Sequence, residues 1–564
     1  FWLKPWWPAG RAQAAGIRVA GVCAAAAPRS SRVAGMAALD VKRHNVGLMQ
    51  AERGYDVTIV CTSDAEQAAF WQERLEQARG SVIPSSSAVV AVDEEWDGGA
   101  GNFLGTLYAW RKACAKHKEL TNSDLAAALK GGASVALYHT AGKGTRLAPL
   151  PGAENNNKPG VKLPAPGAPS ILECVIKQTG AYASSRKKRL SVFWGDQVFV
   201  PSVAAEYQPQ YHVDILCALG PMPTAEDWKA RGLQSYGLIA ARGDKSVAIM
   251  LEKVDHDSAT KQLSQLGGVE CVGPSVGSFS LSSAFLAALD GAFAVELGAK
   301  RGKMDSDPHM WMPMTCGRED YARLMVSKGL FDEAGASAHH DRVTRIIAAF
   351  PVDSDGLGGM FGAVNVGTDF SWWDYGQVKL FYRNSMLLTE DSEDSQLARS
   401  FWSVPEKGRT VGGAEALGAC VVDSASVVSG TTAASGSVSA SMVCGVATSE
   451  LRADGAVLVN VCARRVVAAK GAIVYNVVDS SEEGVVVGEN EVRVGVFTPS
   501  AERPYFEMRS HMLDVDGGKA FKEKVCGNAF SFQEVYDMNH GVDVRACAAI
   551  GRRVFQARAE LLKK

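Results

Sequence analysis

Short apolar runs alternate with longer stretches of helical period between about residues 40 and 400. The runs span residues 56–62, 87–92, 133–139 and 190–194. Helices are predicted between them, one from Asp64 as its N-cap to about Arg79 and another over residues 103–114. Strands that are buried on both faces and joined by helices are typical of parallel sheets. The alternation therefore predicts an α/β domain with a doubly wound, mostly parallel sheet.

The composition changes after about residue 410. Residues 417–499 consist mainly of Val, Ala, Ser and Gly, and apolar residues recur there at six-residue intervals, with a break between Val438 and Val443. The residues spaced in this way are Val421 and Val427, Val422 and Val428, and Val461, Val467 and Ile473. A short period with small side chains predicts stacked coils of a parallel β-helix. A β-sandwich of short strands is the alternative.

These changes predict four segments: 1–39, a main domain over 40–405, an all-β domain over 415–510 and a helical tail over 511–564. The first segment has no acidic residue and five basic ones. It is expected to be an organelle transit peptide, which has this composition, or a translated leader before a true start at Met36. The predicted location is correspondingly a plastid or other organelle, or the cytoplasm.

Composition excludes several classes of protein. The chain has 59 Lys and Arg against 61 Asp and Glu, a net charge of -2, which gives no electrostatic case for a nucleic-acid or anionic-membrane binder. No run of about 18 apolar residues is present, so no membrane span is predicted. The 12 cysteines form no C-x-x-C pair, and they are expected to be reduced.

The segment that carries chemistry directly follows the predicted strand over residues 133–139. It is AGKGTRLAPL, residues 141–150, and KPGVKLP follows at residues 158–164. Glycine lets backbone N–H groups approach phosphate oxygens closely, and a nearby arginine neutralises their charge. The spacing matches neither a P-loop nor a dinucleotide-binding glycine motif. A phosphate cradle of another kind is predicted.

These two motifs resemble those of the sugar-1-phosphate nucleotidyltransferases, in which a strand leads to G-x-G-T-R-L-x-P-L and then to K-P. Further segments follow in the family's order: WGD at 194–196, LEK at 251–253, and WDYGQ at 373–377 with FYRN at 381–384. The resemblance covers about residues 135–500. It implies a Rossmann-like nucleotidyltransferase domain and a C-terminal left-handed β-helix like the one in ADP-glucose pyrophosphorylase. Val254 departs from the family's E-K-P motif.

The resemblance also implies residue roles. Asp196 and Asp374 would hold Mg²⁺, and Arg146 and Lys158 would be the catalytic cations on the triphosphate. The implied substrate-binding residues are Gly142, Gly144, Thr145, Lys162 and, for the sugar phosphate, Lys253.

A glycine-rich segment lies upstream of the phosphate loop, WDGGAGNFLGTLYA at residues 96–109. Its position resembles that in the fucose-1-phosphate guanylyltransferase branch, which implies that Gly101, Asn102 and Gly105 contact base or ribose. That branch has a different phosphate loop, so the base and the sugar both stay open.

The implied activity is Mg²⁺-dependent transfer of a nucleotidyl group from an NTP to a sugar 1-phosphate, with a homo-oligomer formed through the C-terminal domain. The alternative is a non-catalytic regulatory or scaffold subunit with the same fold. Acyl transfer by the β domain is disfavoured, since residues 417–499 contain no histidine base. Two polar clusters, 305–309 and 339–341, are predicted to be solvated loops, the first of them near the sugar.

Overall fold

The computed structural model describes residues 30–352, 356–406, 410–411 and 414–562, so most of the predicted transit peptide or leader lies outside the described residues. The chain divides into two compact units that interleave along the sequence. The first unit comprises residues 30–45, Ala100–Leu107 and Val200–Phe370. The second unit comprises Val46–Gly99, Tyr108–Phe199 and residues 371–562.

The amino-terminal part of the second unit contains the predicted parallel sheet. The strands are β1 (Val57–Thr62), β2 (Ala88–Asp93), β3 (Ser134–His139) and β4 (Arg189–Trp194), with a short β5 (Gln197–Val200) after them. The first four pair in the order β2-β1-β3-β4, and every pairing is parallel. All of β1 is buried, as expected for a strand covered on both faces. The predicted strands are confirmed to within about two residues.

The helix predicted from Asp64 to about Arg79 spans Ala65–Gln77, whereas the helix predicted over residues 103–114 is longer and spans Gly101–Thr121. Asp64 accepts a hydrogen bond from the Gln67 backbone N–H at 2.9 Å, which confirms it as a helix N-cap. The helices are α1 (Ser30–Leu48), α2 (Ala65–Gln77), α3 (Gly101–Thr121), α4 (Leu125–Gly131), α5 (Leu150–Ala153), α6 (Ile171–Thr179), α7 (Ala225–Ala230), α8 (His256–Ser264), α9 (Ser283–Ala292), α10 (Ala294–Ala299), α11 (Met312–Thr315), α12 (Arg318–Ser327), α13 (Glu333–Ala349), α14 (Val378–Met386), α15 (Glu393–Phe401), α16 (Phe532–Met538) and α17 (Val544–Leu562). Among the described helices, none combines the length and the apolar character that crossing a membrane requires.

The first unit has a mixed sheet of five strands, β6 (Tyr211–Cys217), β7 (Gly237–Arg242), β8 (Val247–Glu252), β9 (Val269–Ser282) and β10 (Gly359–Asn365). They lie in the order β10-β6-β9-β7-β8. In this order β10 and β6 pair in parallel, and the other neighbours pair antiparallel.

Two predicted loops of the first unit are helical instead. Asp307–Trp311 forms a π-helical turn, and the histidines of the second cluster lie inside α13. The ring nitrogens of His339 and His340 donate to the carbonyl oxygens of His309, at 2.7 Å, and Cys316, at 2.9 Å. Buried polar side chains are stable when they are hydrogen-bonded in this way, so a polar sequence did not indicate exposure.

The carboxyl-terminal part of the second unit is rich in β-structure, as predicted. After β11 (Ser371–Asp374), the strands are β12 (Thr410–Val411), β13 (Ala419–Val422), β14 (Val427–Ser429), β15 (Thr432–Ser439), β16 (Met442–Asp454), β17 (Val457–Cys462), β18 (Arg465–Ala468), β19 (Ile473–Tyr475), β20 (Val485–Val487), β21 (Glu491–Phe497) and β22 (Tyr505–His511). They form two parallel ladders, β12-β14-β16-β17-β19-β21 and β13-β15-β16-β18-β20, and antiparallel β22 pairs with β21. Parallel pairing differs from the antiparallel sheets of a β-sandwich.

The stacking interval in these ladders is not a multiple of the six-residue period at which apolar residues recur in the sequence. Val427 pairs with Met442, and Met442 with Val457, fifteen residues apart in each case. Val421 and Val427, which the six-residue period made equivalent, are 70% and 1% exposed. A buried position therefore has its equivalent in the next layer of the stack, fifteen residues further along the chain in these two pairs, and not six residues further along.

Candidate functional site

The glycine loop leaves the carboxyl end of β3 and turns sharply at Gly144. Gly144 has φ 61° and precedes a 3-10 turn over Thr145–Leu147, which carries Arg146. A Cβ at Gly144 would lie 3.0 Å from Cδ of Lys158. The left-handed backbone therefore favours glycine here, and the contact with Lys158 leaves little room for a side chain. Gly142 has φ 127°, and among the described residues no atom lies within 4 Å of where its Cβ would stand, so the loop is open there.

Lys158 and Asp196 form the centre of the site. The Lys158 Nζ donates to Asp196 Oδ2 at 2.6 Å, and the two side chains are 18% and 31% exposed. Asp196 follows β4, where the Gly195 backbone N–H donates to the His139 carbonyl at the end of β3, at 3.1 Å. Burial alone would raise the pKa of Asp196, but the charges of Lys158 and, less strongly, Arg146 outweigh it and lower that pKa.

Asp374 reaches the same place from the end of β11. The Tyr375 N–H donates to the Asp196 carbonyl at 3.0 Å, and the Asn384 side-chain amide donates to the Asp374 carbonyl at 2.7 Å. The Gly376 N–H donates to Asp374 Oδ1 at 2.6 Å. A Cβ at Gly376 would lie 3.0 Å from Asp374 Oδ1 and 3.5 Å from Asp196 Oδ2. The two carboxylates therefore converge on one point beside a glycine, whose function the sequence had not indicated.

The two carboxyl groups differ in their ionisation. Burial, and then the charge of Asp196, raise the pKa of Asp374 to about 6, although the Gly376 N–H, Lys158 and Arg146 oppose the shift. A like charge nearby disfavours ionisation. Asp374 therefore lies where a further cation would stabilise its charged form.

The donor set fits a hard divalent cation that is shared with a substrate. The described residues contain no group of three or more His, Cys, Asp or Glu side chains placed to hold a metal ion. Mg²⁺ is usually bound through one or two carboxylates, together with water and substrate phosphate oxygens. Asp196 and Asp374 provide that number of carboxylates.

Lys162 lies in a different environment from Lys158. Its Nζ donates to Glu154 at 2.6 Å, and its backbone N–H donates to the Tyr475 hydroxyl at 2.8 Å. Asn476 also donates to Glu154, at 3.1 Å. The structure thus joins Lys162 to the β domain of the second unit through Glu154, and its contact with substrate stays a prediction.

The other predicted substrate-binding residues belong to the first unit. A Cβ at Gly101, which has φ 75°, would lie 2.5 Å from the Met304 carbonyl oxygen. The Asn102 N–H donates to Asp305 at 3.0 Å. Lys253 pairs with the neighbouring Glu252 at 2.7 Å. Gly105 is buried within α3. The roles of these residues toward a substrate stay predictions.

Asp307 in the first unit titrates far from the ordinary range of an aspartate. Burial, then the charges of Glu252 and Asp305, raise its pKa to about 7. The unfolded chain ionises near the ordinary value of about 3.9. The native state therefore holds this proton more tightly, and stability falls as the pH rises from about 4 to about 7.

Asp307→Asn is expected to remove this penalty. Relative to the wild type, the variant should gain unfolding free energy progressively between pH 4 and pH 7, by up to about 4 kcal/mol, with no further gain above that range. Urea unfolding of both proteins at several pH values measures the difference. A difference that is independent of pH would contradict the assignment of Asp307.

Comparisons with known proteins do not identify a family. No family model matches the chain, and no curated protein matches it. Among solved structures, HddC from Yersinia pseudotuberculosis complexed with GMP-PN is matched at 10% identity and a TM-score of 0.19, over 59% of this chain and 98% of that one. A Bacillus anthracis protein provisionally named a glucose-1-phosphate thymidylyltransferase, in complex with a sucrose, is matched at 11% identity and a TM-score of 0.18, over 60% and 96%.

Proposed function

We propose that this chain is a Mg²⁺-dependent sugar-1-phosphate nucleotidyltransferase, which makes an NDP-sugar and pyrophosphate from an NTP and a sugar 1-phosphate. The convergence of Asp196 and Asp374 beside Lys158 carries the proposal. The glycine loop with Arg146 leaves the same sheet edge, at the carboxyl ends of parallel strands, where α/β proteins bind their ligands. Two metal-type carboxylates and two cations have no evident use in a subunit without catalysis.

The proposed reaction is an in-line displacement. An oxygen of the sugar 1-phosphate, already ionised, forms a bond to the α-phosphorus while the bond from that phosphorus to pyrophosphate breaks. Such a transfer requires positioning and charge neutralisation more than covalent help from the protein. Arg146 would neutralise the departing pyrophosphate, and Lys158 would hold oxygens near the α-phosphorus. Backbone N–H groups of the loop from Gly142 to Thr145 would cradle the phosphates.

Asp196 and Asp374 would hold the Mg²⁺. The cation, when bound, would neutralise phosphate charge. The ammonium group of Lys158 is paired with Asp196. When substrates bind, we expect it to donate a hydrogen bond to a phosphate oxygen as well, and its contact with Asp196 to weaken.

The parallel ladders of the C-terminal part support a β-helix, which we propose serves subunit assembly. Their inward positions are filled by small apolar residues, as a narrow stacked coil requires.

The test is pyrophosphate release from a panel of NTPs and sugar 1-phosphates in the presence of Mg²⁺. We expect turnover with at least one pair and none after chelation of the metal. If no pair reacts while a nucleotide still stabilises the protein against heat, the enzyme proposal fails and a regulatory subunit is favoured.

A further inference from the structure

The segment after the β domain packs against the phosphate loop. A Cβ at Gly517 would lie 2.7 Å from the Thr145 carbonyl oxygen, and a Cβ at Gly518 would lie 3.4 Å from Cγ of Arg146. The backbone of the segment thus lies against the turn that carries Arg146. A side chain at position 517 cannot be added without moving one of the two segments.

This close approach is fixed by a local turn. The Asp516 carboxylate accepts hydrogen bonds from the Gly518 N–H at 3.0 Å and from the Lys519 N–H at 3.3 Å. The Ala520 N–H donates to the Asp516 carbonyl at 2.8 Å. A side chain that satisfies the backbone of its own turn holds that turn in one conformation.

The same segment reaches the loop at a second place. The Lys143 Nζ lies 3.2 Å from Gln533 Oε1 and 4.8 Å from the centre of the Tyr536 ring, within the range of a cation–π contact. Lys143 stands between the two glycines of the phosphate loop. The segment therefore contacts the loop before and after its tight turn.

A third set of contacts leads to Lys158. The Asn156 side-chain amide donates to the Tyr536 carbonyl at 2.7 Å, and the Asn539 amide donates to the Gly152 carbonyl at 3.0 Å. These bonds hold α5 and the connection from α5 to the 3-10 turn that begins with Lys158. The segment therefore contacts the backbone close to both proposed catalytic cations, Arg146 and Lys158.

We propose that residues 516–539, which we call the positioning segment, set Arg146 and Lys158 at the distance that the nucleotide phosphates require, with Gly517 as a positioning residue. This inference rests on the proposed function. It adds that the nucleotide site is incomplete without the chain beyond the β domain. None of the segment's residues is assigned contact with a reacting atom.

The test compares Gly517→Ala with Gly267→Ala in the full-length protein. Neither glycine has a φ in the left-handed region, and among the described residues no atom lies within 4 Å of a Cβ at Gly267. Gly517→Ala therefore places a methyl group against backbone, whereas Gly267→Ala, at an exposed position, places it in open space. The NTP that the wild type binds most tightly, from ATP, CTP, GTP, UTP and dTTP with Mg²⁺, is titrated calorimetrically into each protein.

We expect the Kd of Gly517→Ala for that nucleotide to rise about tenfold, as for loss of one charge-assisted phosphate contact, and kcat to fall by up to about 100-fold. KM for the sugar 1-phosphate should change little, and Gly267→Ala should behave as the wild type. A fall in melting temperature with unchanged nucleotide Kd and kcat would reduce Gly517 to a structural role and overturn the inference.

Tyr536→Leu keeps the test decisive if Gly517→Ala fails to fold. It removes the ring beside Lys143 and keeps the backbone carbonyl, so the Kd should rise about threefold. An unchanged Kd in this variant would overturn the inference. A wild type that binds no NTP at all would instead overturn the proposed function, and the two failures are thereby distinguished.

Discussion

Asp196→Asn and Asp374→Asn are each expected to reduce nucleotidyl transfer by about 10³-fold or more, the scale seen when preorganised charge is removed from a reacting centre. An amide offers Mg²⁺ a neutral carbonyl oxygen in place of the anionic oxygen of a carboxylate, which weakens binding of the cation. The shape of the side chain is kept, so the fold should be retained. Pyrophosphate release at saturating substrates measures the loss.

The two variants should differ in stability without metal. Asp374→Asn removes a carboxylate whose pKa is raised by burial and by Asp196, so its melting temperature at neutral pH should equal or exceed that of the wild type. Asp196→Asn breaks the contact with Lys158 and should not be stabilising. Asp257→Asn, at a fully exposed carboxylate, is the control. It should change neither the rate of nucleotidyl transfer nor the melting temperature. Near-normal rates in both site variants would show that the metal lies elsewhere.

Lys158→Met is expected to reduce kcat by about 100-fold, because it removes the cation that we propose holds the reacting phosphate. Lys158 also favours the charged forms of Asp196 and Asp374. Without it, the pKa of each carboxyl group should rise, and the acid limb of the pH–rate profile should move to higher pH. Rates measured from about pH 5 to pH 8.5 test both effects, in the range where groups with raised carboxyl pKa values titrate.

Lys162→Met is the matched control, since it changes the same residue type four positions along the same segment. Lys162 pairs with Glu154, so we expect less than about a tenfold fall in kcat and no shift of the acid limb. Lys158→Arg keeps the charge and should restore part of the lost rate. Equal losses in the two methionine variants would contradict the separate environments assigned to these lysines.

The parallel sheet could be predicted from the sequence because its strands are continuous apolar runs. The run ending at His139 and the run ending at Trp194 lie in register as neighbours, which brings the glycine loop and Asp196 to one edge. Lys158 and Asp196 are expected at the site because their motifs resemble those of the sugar-1-phosphate nucleotidyltransferases. The meeting of Asp374 with Asp196 could be anticipated only through a resemblance, because the chain between them is long.

The other features of the fold and of the site depend on contacts between distant segments, and such contacts leave no local pattern in the sequence. Glu154 holds Lys162 and Asn476 together, and no sequence spacing relates these residues. His339 is buried in a helix although its neighbours are polar, because its ring finds a carbonyl on another segment. Gly517 resembles any turn glycine until its distance from Thr145 is known.

The most direct test of the site is anomalous diffraction from a crystal that contains Mn²⁺ and a non-hydrolysable analogue of the preferred NTP. Mn²⁺ takes the same oxygen ligands as Mg²⁺ and can be located by its scattering. We expect one anomalous peak in contact with the carboxylates of Asp196 and Asp374 and with a phosphate oxygen, with Arg146 and Lys158 on the phosphates. Metal and nucleotide bound together at a place without these four residues would contradict it.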